Sequence, residues 1–247
     1  MSRKLVGLIL IFAQTAGLFS CQITDQPLES HKVDGDNPEI QLQNSETTID
    51  KEPSIPIQLS VGSFDPLLSN GPTFHSHELM LQNYSEDKVG YYILQFKGPV
   101  LQKWKDNVAA AGASFFDYIP KFAFLVKMNS KTYKTIKEME AVRWVGIYQP
   151  GYRIAPDLLV AIQKEENRRI NLIVSFFRGE NVSYLITEIK HLGGEILSVS
   201  KTKQKLRLKI PINKIIALSR RNGIKYIEKI PTFKLSPAIS QKGAELW

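Results

Sequence analysis

Leu101-Gln102-Lys103-Trp104-Lys105-Asp106-Asn107-Val108-Ala109-Ala110-Ala111-Gly112, set beside Val182-Ser183-Tyr184-Leu185-Ile186-Thr187-Glu188-Ile189-Lys190-His191-Leu192-Gly193, decides how this chain folds. Leu101, Trp104, Val108 and Ala111 in the first stretch answer to Val182, Leu185, Ile189 and Leu192 in the second. The spacing i, i+3, i+7, i+10 lays them on one face of a helix. The closing glycine suits the left-handed backbone of a helix C-terminus. The stretches are 81 residues apart (193 − 112) without a gap. After one inserted residue, Tyr133, Ile136 and Val142 recur as Ile215, Leu218 and Ile224, 82 apart (215 − 133). What repeats is a buried stripe, so the spacing predicts one small unit used twice.

Outward from the helices, the flanking runs read as strands. Tyr91 to Phe96 is β-rich and is ended by Lys97-Gly98-Pro99. Ser114 to Ile119 turns through Pro120-Lys121 into Phe122 to Met128, where Phe122, Phe124, Val126 and Met128 share one face. Asn129 or Ser130 caps a second helix, and Val142 to Tyr148 closes the unit. The second copy repeats this order: strand Ile170 to Phe177, a helix capped by Asn181, a hairpin over 195–210, a helix opened by Pro211, and a strand from Ile224 to Ile230. Each copy is βαββαβ, so the expected class is α+β, with two tandem ferredoxin-like units spanning 91–155 and 168–232. Such a unit packs both helices on one sheet face. Leu206, Leu208 and Ile210 then face inward and Lys205, Arg207 and Lys209 outward. The equivalent outward positions of the first unit are Ala123, Leu125 and Lys127, an apolar strip expected to dock on something. Trp104 is expected to lie buried against its sheet.

Residues 1–21 read as an export signal. Arg3 and Lys4 precede an apolar run from Leu5 to Phe19, too short for a membrane span, and Leu18-Phe19-Ser20-Cys21 resembles a lipobox. Cys21, the only cysteine, would then carry a lipid anchor, which implies an exported, envelope-anchored or extracellular chain without internal disulfides. Residues 22–90 hold Pro27, Pro38, Pro53, Pro56, Pro66 and Pro72 and no sustained period, the signature of an acidic linker. They carry 12 acidic and 3 basic residues, whereas 91–247 carries 12 acidic and 27 basic, a net of +15 (27 − 12).

Chemistry-bearing motifs are scarce. His75-Ser76-His77-Glu78 holds an H-x-H pair, but a site needs a third and fourth ligand held in place, and only His31 and His191 remain among the histidines, so no metal is expected. Nucleophile elbow, zinc-protease helix, P-loop and dinucleotide turn are all missing, and neither a catalytic residue nor a cofactor is assigned. Glu165 and Glu166 sit in a charged segment between the units.

Tyr91-Tyr92-Ile93-Leu94-Gln95-Phe96-Lys97-Gly98-Pro99, Trp104, Gly112, Tyr118-Ile119-Pro120-Lys121-Phe122-Ala123-Phe124-Leu125-Val126 and Val142-Arg143-Trp144-Val145-Gly146-Ile147-Tyr148-Gln149-Pro150 together resemble the N-terminal propeptide region of bacterial subtilisin-like serine peptidases. The similarity covers about 91–247, and residues 233–247 resemble the passage of such propeptides into the catalytic domain. The aspartate, histidine and Gly-Thr-Ser segments of that domain do not occur, so the expected product is a fragment of a longer precursor or a free-standing inhibitor. The resemblance implies a folding assistant and inhibitor, acting on a protease domain in cis or in trans. It further implies that Thr232, Phe233, Lys234 and Leu235 lie substrate-like in the protease cleft. A lipid-anchored chain would also meet the membrane. The competing reading is a surface lipoprotein that binds an anionic polymer or partner protein through its basic sheet faces. Export and the lack of paired aromatics beside the basic residues argue against nucleic acid.

Overall fold

Apolar and polar residues alternate along Lys205–Pro211, whereas Ala123–Met128 is apolar throughout except at Lys127, so the outer faces of the two strands differ sharply in character. The computed structural model describes residues 54–85, 88–164 and 168–231. The expected signal segment, Cys21, residues 22–53 and the tail residues Thr232, Phe233, Lys234 and Leu235 lie outside the described residues.

The chain starts with a short hairpin, β1 (Ile57–Leu59) and β2 (Gly62–Phe64). Then come β3 (Gly90–Phe96), α1 (Gln102–Ala110), β4 (Ser114–Ile119), β5 (Ala123–Met128), α2 (Ser130–Lys137) and β6 (Val142–Ile147). After α3 (Pro156–Gln163) follow β7 (Arg169–Phe176), α4 (Val182–His191), β8 (Glu195–Ser200), β9 (Lys205–Pro211), α5 (Ile215–Ser219) and β10 (Ile224–Lys229). Two four-stranded sheets result, ordered β4-β5-β3-β6 and β10-β7-β9-β8, with every neighbouring pair antiparallel. The fold is mixed α+β with antiparallel sheets, of ferredoxin-like kind.

Helix boundaries follow local chemistry. The Asn129 side chain accepts the Thr132 amide at 2.8 Å to cap α2, and Asn181 accepts the Tyr184 amide at 3.1 Å to cap α4. Gly112 and Gly193, just beyond α1 and α4, adopt φ of +104° and +77°, which a side chain would disfavour. Val108 and Ile136 pack beneath Tyr92, Leu94 and Val126 in one core. Leu185, Ile189, Ile215 and Leu218 pack beneath Leu172, Val174, Leu206, Leu208 and Ile210 in the other. Burying each aliphatic side chain of this size contributes about 1.5–3 kcal/mol. The stripes thus face the sheets, with two departures: Trp104 is half-buried, stacked on Phe96 at 5.9 Å, and Leu101 is 55% exposed.

Two expectations are corrected. The linker reading of 22–90 fails from residue 54 onward, because Ile57 and Leu79 are fully buried and the β1–β2 hairpin packs on the first sheet. The interval between 155 and 168 is not merely charged. It holds α3, whose Leu158, Ala161 and Ile162 join the second core, while Ile154 pairs in parallel with Ile227 beside β10.

Candidate functional site

The apolar strip expected to dock on a partner is occupied by the chain itself. Ala123 is 0% and Leu125 5% exposed, covered together with Tyr91 and Ile93 by a cluster that includes Ile57, Phe64, Tyr152 and Phe177. Lys127, the third docking candidate, bonds Glu180 at 2.6 Å and lies over the Tyr91 ring. Docking through Ala123, Leu125 and Lys127 is therefore overturned: an apolar outer face drives its own coverage, and residues 55–74 with Tyr148, Tyr152 and Phe177 supply it.

A buried polar latch fixes the covering segment. Arg143, on β6, donates from Nη2 to both Asp65 oxygens at 2.9 Å and from Nη1 to Gln95 Oε1 at 2.8 Å. Gln95 in turn donates to the carbonyls of Ile55 and Lys121. Burial alone would raise the Asp65 pKa. The amides of Leu67 and Ile55, with Arg143 and Ser54, outweigh it and hold the carboxyl at about 2.

The two sheets meet through an aromatic joint. Tyr91 stacks on Phe177 with ring centres 3.6 Å apart and planes within 8°. The Tyr91 hydroxyl donates to Glu180, and burial followed by that carboxylate pushes its pKa up. Gly223, at φ +89°, lies so close to Glu180 that a Cβ there would sit 2.8 Å from its oxygen. Arg153, 1% exposed, bonds the carbonyls of Tyr148, Ser219 and Arg221 and the Tyr84 hydroxyl. Its charge thus lies at the C-terminus of α5, bonded to the last helical carbonyl, of Ser219, and to that of Arg221 just beyond. Lys225 bonds Asp117 at 2.7 Å across the same junction.

The second sheet behaves otherwise. Leu206, Leu208 and Ile210 are fully buried, and Lys205, Arg207 and Lys209 point outward and are exposed, as the alternation predicts. Register places Asn171, Ile173 and Ser175 of β7 beside them. Lys205 also lines a cleft of about 340 Å³ at the junction with Arg178, Lys203 and Lys225, facing Asp117. The face and cleft thus present several exposed cations, of which Lys205 lies 3.6 Å from Glu228.

Among the described residues there is no group of three or more histidine, cysteine, aspartate or glutamate side chains that could hold a metal. His75 Nδ1 pairs with Gln163 Nε2 at 2.9 Å, on the surface. No helix among the described residues is long and apolar enough to cross a membrane. Sequence reading missed Asp65, Arg153 and Glu180. The Glu180–Tyr91 and Arg143–Asp65 contacts join positions 89 and 78 residues apart, and no local periodicity reports such pairs.

Residues 58–149 match the family described as Domain of unknown function (DUF8729). The match begins inside the hairpin, so the covering segment belongs with the first sheet. No curated protein matches. Among solved structures, the chain is similar to the small subunit of acetolactate synthase from Thermotoga maritima at 13% identity, over 57% of this chain and 92% of that one, with a TM-score of 0.18.

Proposed function

We propose that this chain is a non-catalytic, propeptide-like module for an exported subtilisin-like serine protease, assisting its folding and inhibiting it. In this reading the two sheets are tandem ferredoxin-like units descended from one duplicated unit, and Cys21 anchors the product to a membrane. The observation that carries it is the asymmetry of the two sheets. The first has its outer face covered by its own chain, whereas the second keeps Lys205, Arg207 and Lys209 exposed among the described residues. β10 ends at Lys229, so Thr232, Phe233, Lys234 and Leu235 follow the docking sheet directly in sequence. Sheet and tail can then act as two linked contacts, each raising the effective concentration of the other. Docking is assigned to Lys205, Arg207 and Lys209 rather than to the covered strip.

The test is inhibition of a purified bacterial subtilisin by the exported part of the chain, residues 22–247. Loss of residues 231–247 should weaken inhibition at least tenfold while leaving the melting curve unchanged. Equal inhibition by the truncated chain would remove the substrate-like role of the tail.

The cluster of Arg178, Lys203, Lys205 and Lys225 favours a second reading, binding of an anionic polymer. Polyphosphate separates the two. Tight, steeply salt-dependent polyphosphate binding, abolished by Lys205→Glu with Arg207→Glu and unaccompanied by protease inhibition, would support the polymer.

A further inference from the structure

β6 is an edge strand, paired only with β3 among the described residues. Its free edge runs along a trough of about 600 Å³ bounded on both sides by aromatic side chains. On the α2 side, Tyr84, Tyr92 and Tyr133 form a continuous ladder, with ring centres 5.4 Å and 5.2 Å apart. On the hairpin side, Phe64 meets Trp144 edge-on at 6.3 Å and Tyr152 at 6.1 Å. Gly146 makes the second wall possible, because any side chain there would collide with the Trp144 ring, which lies along the strand above it.

One end of the trough already holds extended backbone. The Gln149 side chain, just past β6, accepts the Leu81 amide at 2.6 Å and donates to the Leu81 carbonyl at 3.1 Å. That two-point grip on a main-chain amide and carbonyl is what a neighbouring strand would supply. Beyond it, β6 has no second strand partner among the described residues, while the walls on both faces are built.

We propose that this trough binds an extended segment of a partner polypeptide by strand addition to β6. Alternate side chains of a strand point to opposite faces, so one set seats against the tyrosine ladder and the other against Trp144 and Phe64. The occupant therefore carries apolar or β-branched side chains on both faces. Among the described residues Lys134 is the only charged side chain lining the trough, so an acidic residue at the α2 side completes the match. This site is separate from the second sheet's face and does not depend on the protease reading.

The probe is a fluorescent seven-residue peptide of alternating valine and threonine with one terminal aspartate. Binding should saturate, should slow amide exchange in β6, and should weaken at least tenfold when alternate peptide nitrogens are methylated on the side facing the strand. Lys134→Glu, an exposed change that leaves the fold intact, should weaken the acidic peptide and not its amidated counterpart. Equal binding of methylated and unmethylated peptides, or no slowing of exchange in β6, would overturn strand addition. So would failure of the peptide to bind while a chitin oligosaccharide binds, since the rings would then be a sugar-stacking platform.

Discussion

Single residues set the molecule's weak points, and the buried pair Asp65–Arg143 is the sharpest of them, with side chains 4% and 6% exposed. Removing one partner strands the other, so Asp65→Ala should destabilise by about 3–5 kcal/mol in urea melts. The same pair sets an acid limb. The folded-state pKa of Asp65 is depressed from 3.8 to about 2, so its contribution is complete above the unfolded value and is lost as pH falls through about 2. Asp65→Ala should therefore flatten the loss of stability in that window, and an unchanged acid limb would show that other carboxylates set it. Gly223 is the second weak point. Gly223→Ala meets both a left-handed backbone and the Glu180 carboxylate, and should lower stability by at least about 1 kcal/mol. None of this was legible beforehand. Asp65 reads as one more acid in a polar stretch, and only the folded chain brings Arg143 to it.

At the level of elements, the legible parts are those with a period. The stripe of α4 and the alternation of β9 announce their buried faces, and the structure buries Ile189, Leu206 and Leu208 fully. The hairpin escapes because β1 and β2 are three residues each, too short to show alternation, and are set among prolines and serines. Its weight is nonetheless that of a core element. Ile57→Ala should cost about 2–5 kcal/mol, the range for aliphatic truncation at a sealed site. Trp104→Ala should cost less than the ~3–5 kcal/mol of a fully buried large aromatic, because that side chain is only partly buried. Equilibrium unfolding of the two variants side by side checks the ranking. A larger loss at Trp104 than at Ile57 would reverse the assignment of what seals the first sheet. For the candidate surfaces, the outward run Lys205, Arg207 and Lys209 could be read from alternation. The fate of Ala123 and Leu125 could not, because an apolar outer strip says that it will be covered without saying by what.

For the whole molecule, two sheets share one strand order but differ in what lies on their outer faces. The first, with its hairpin, latch and aromatic joint, carries the second. The second presents charge and leads into the tail. Charge reversal at Lys205 and Arg207 should consequently leave the melting curve within about 0.5 kcal/mol of the parent, as exposed surface changes do, while weakening binding. Amide hydrogen exchange of the chain in complex with a catalytically inactive subtilisin tests this arrangement most directly. Slowed exchange in Lys205–Pro211 and in residues 231–235, with Ala123–Met128 unchanged, is the result predicted. Slowed exchange at Ala123–Met128 with β9 and the tail unaffected would contradict it.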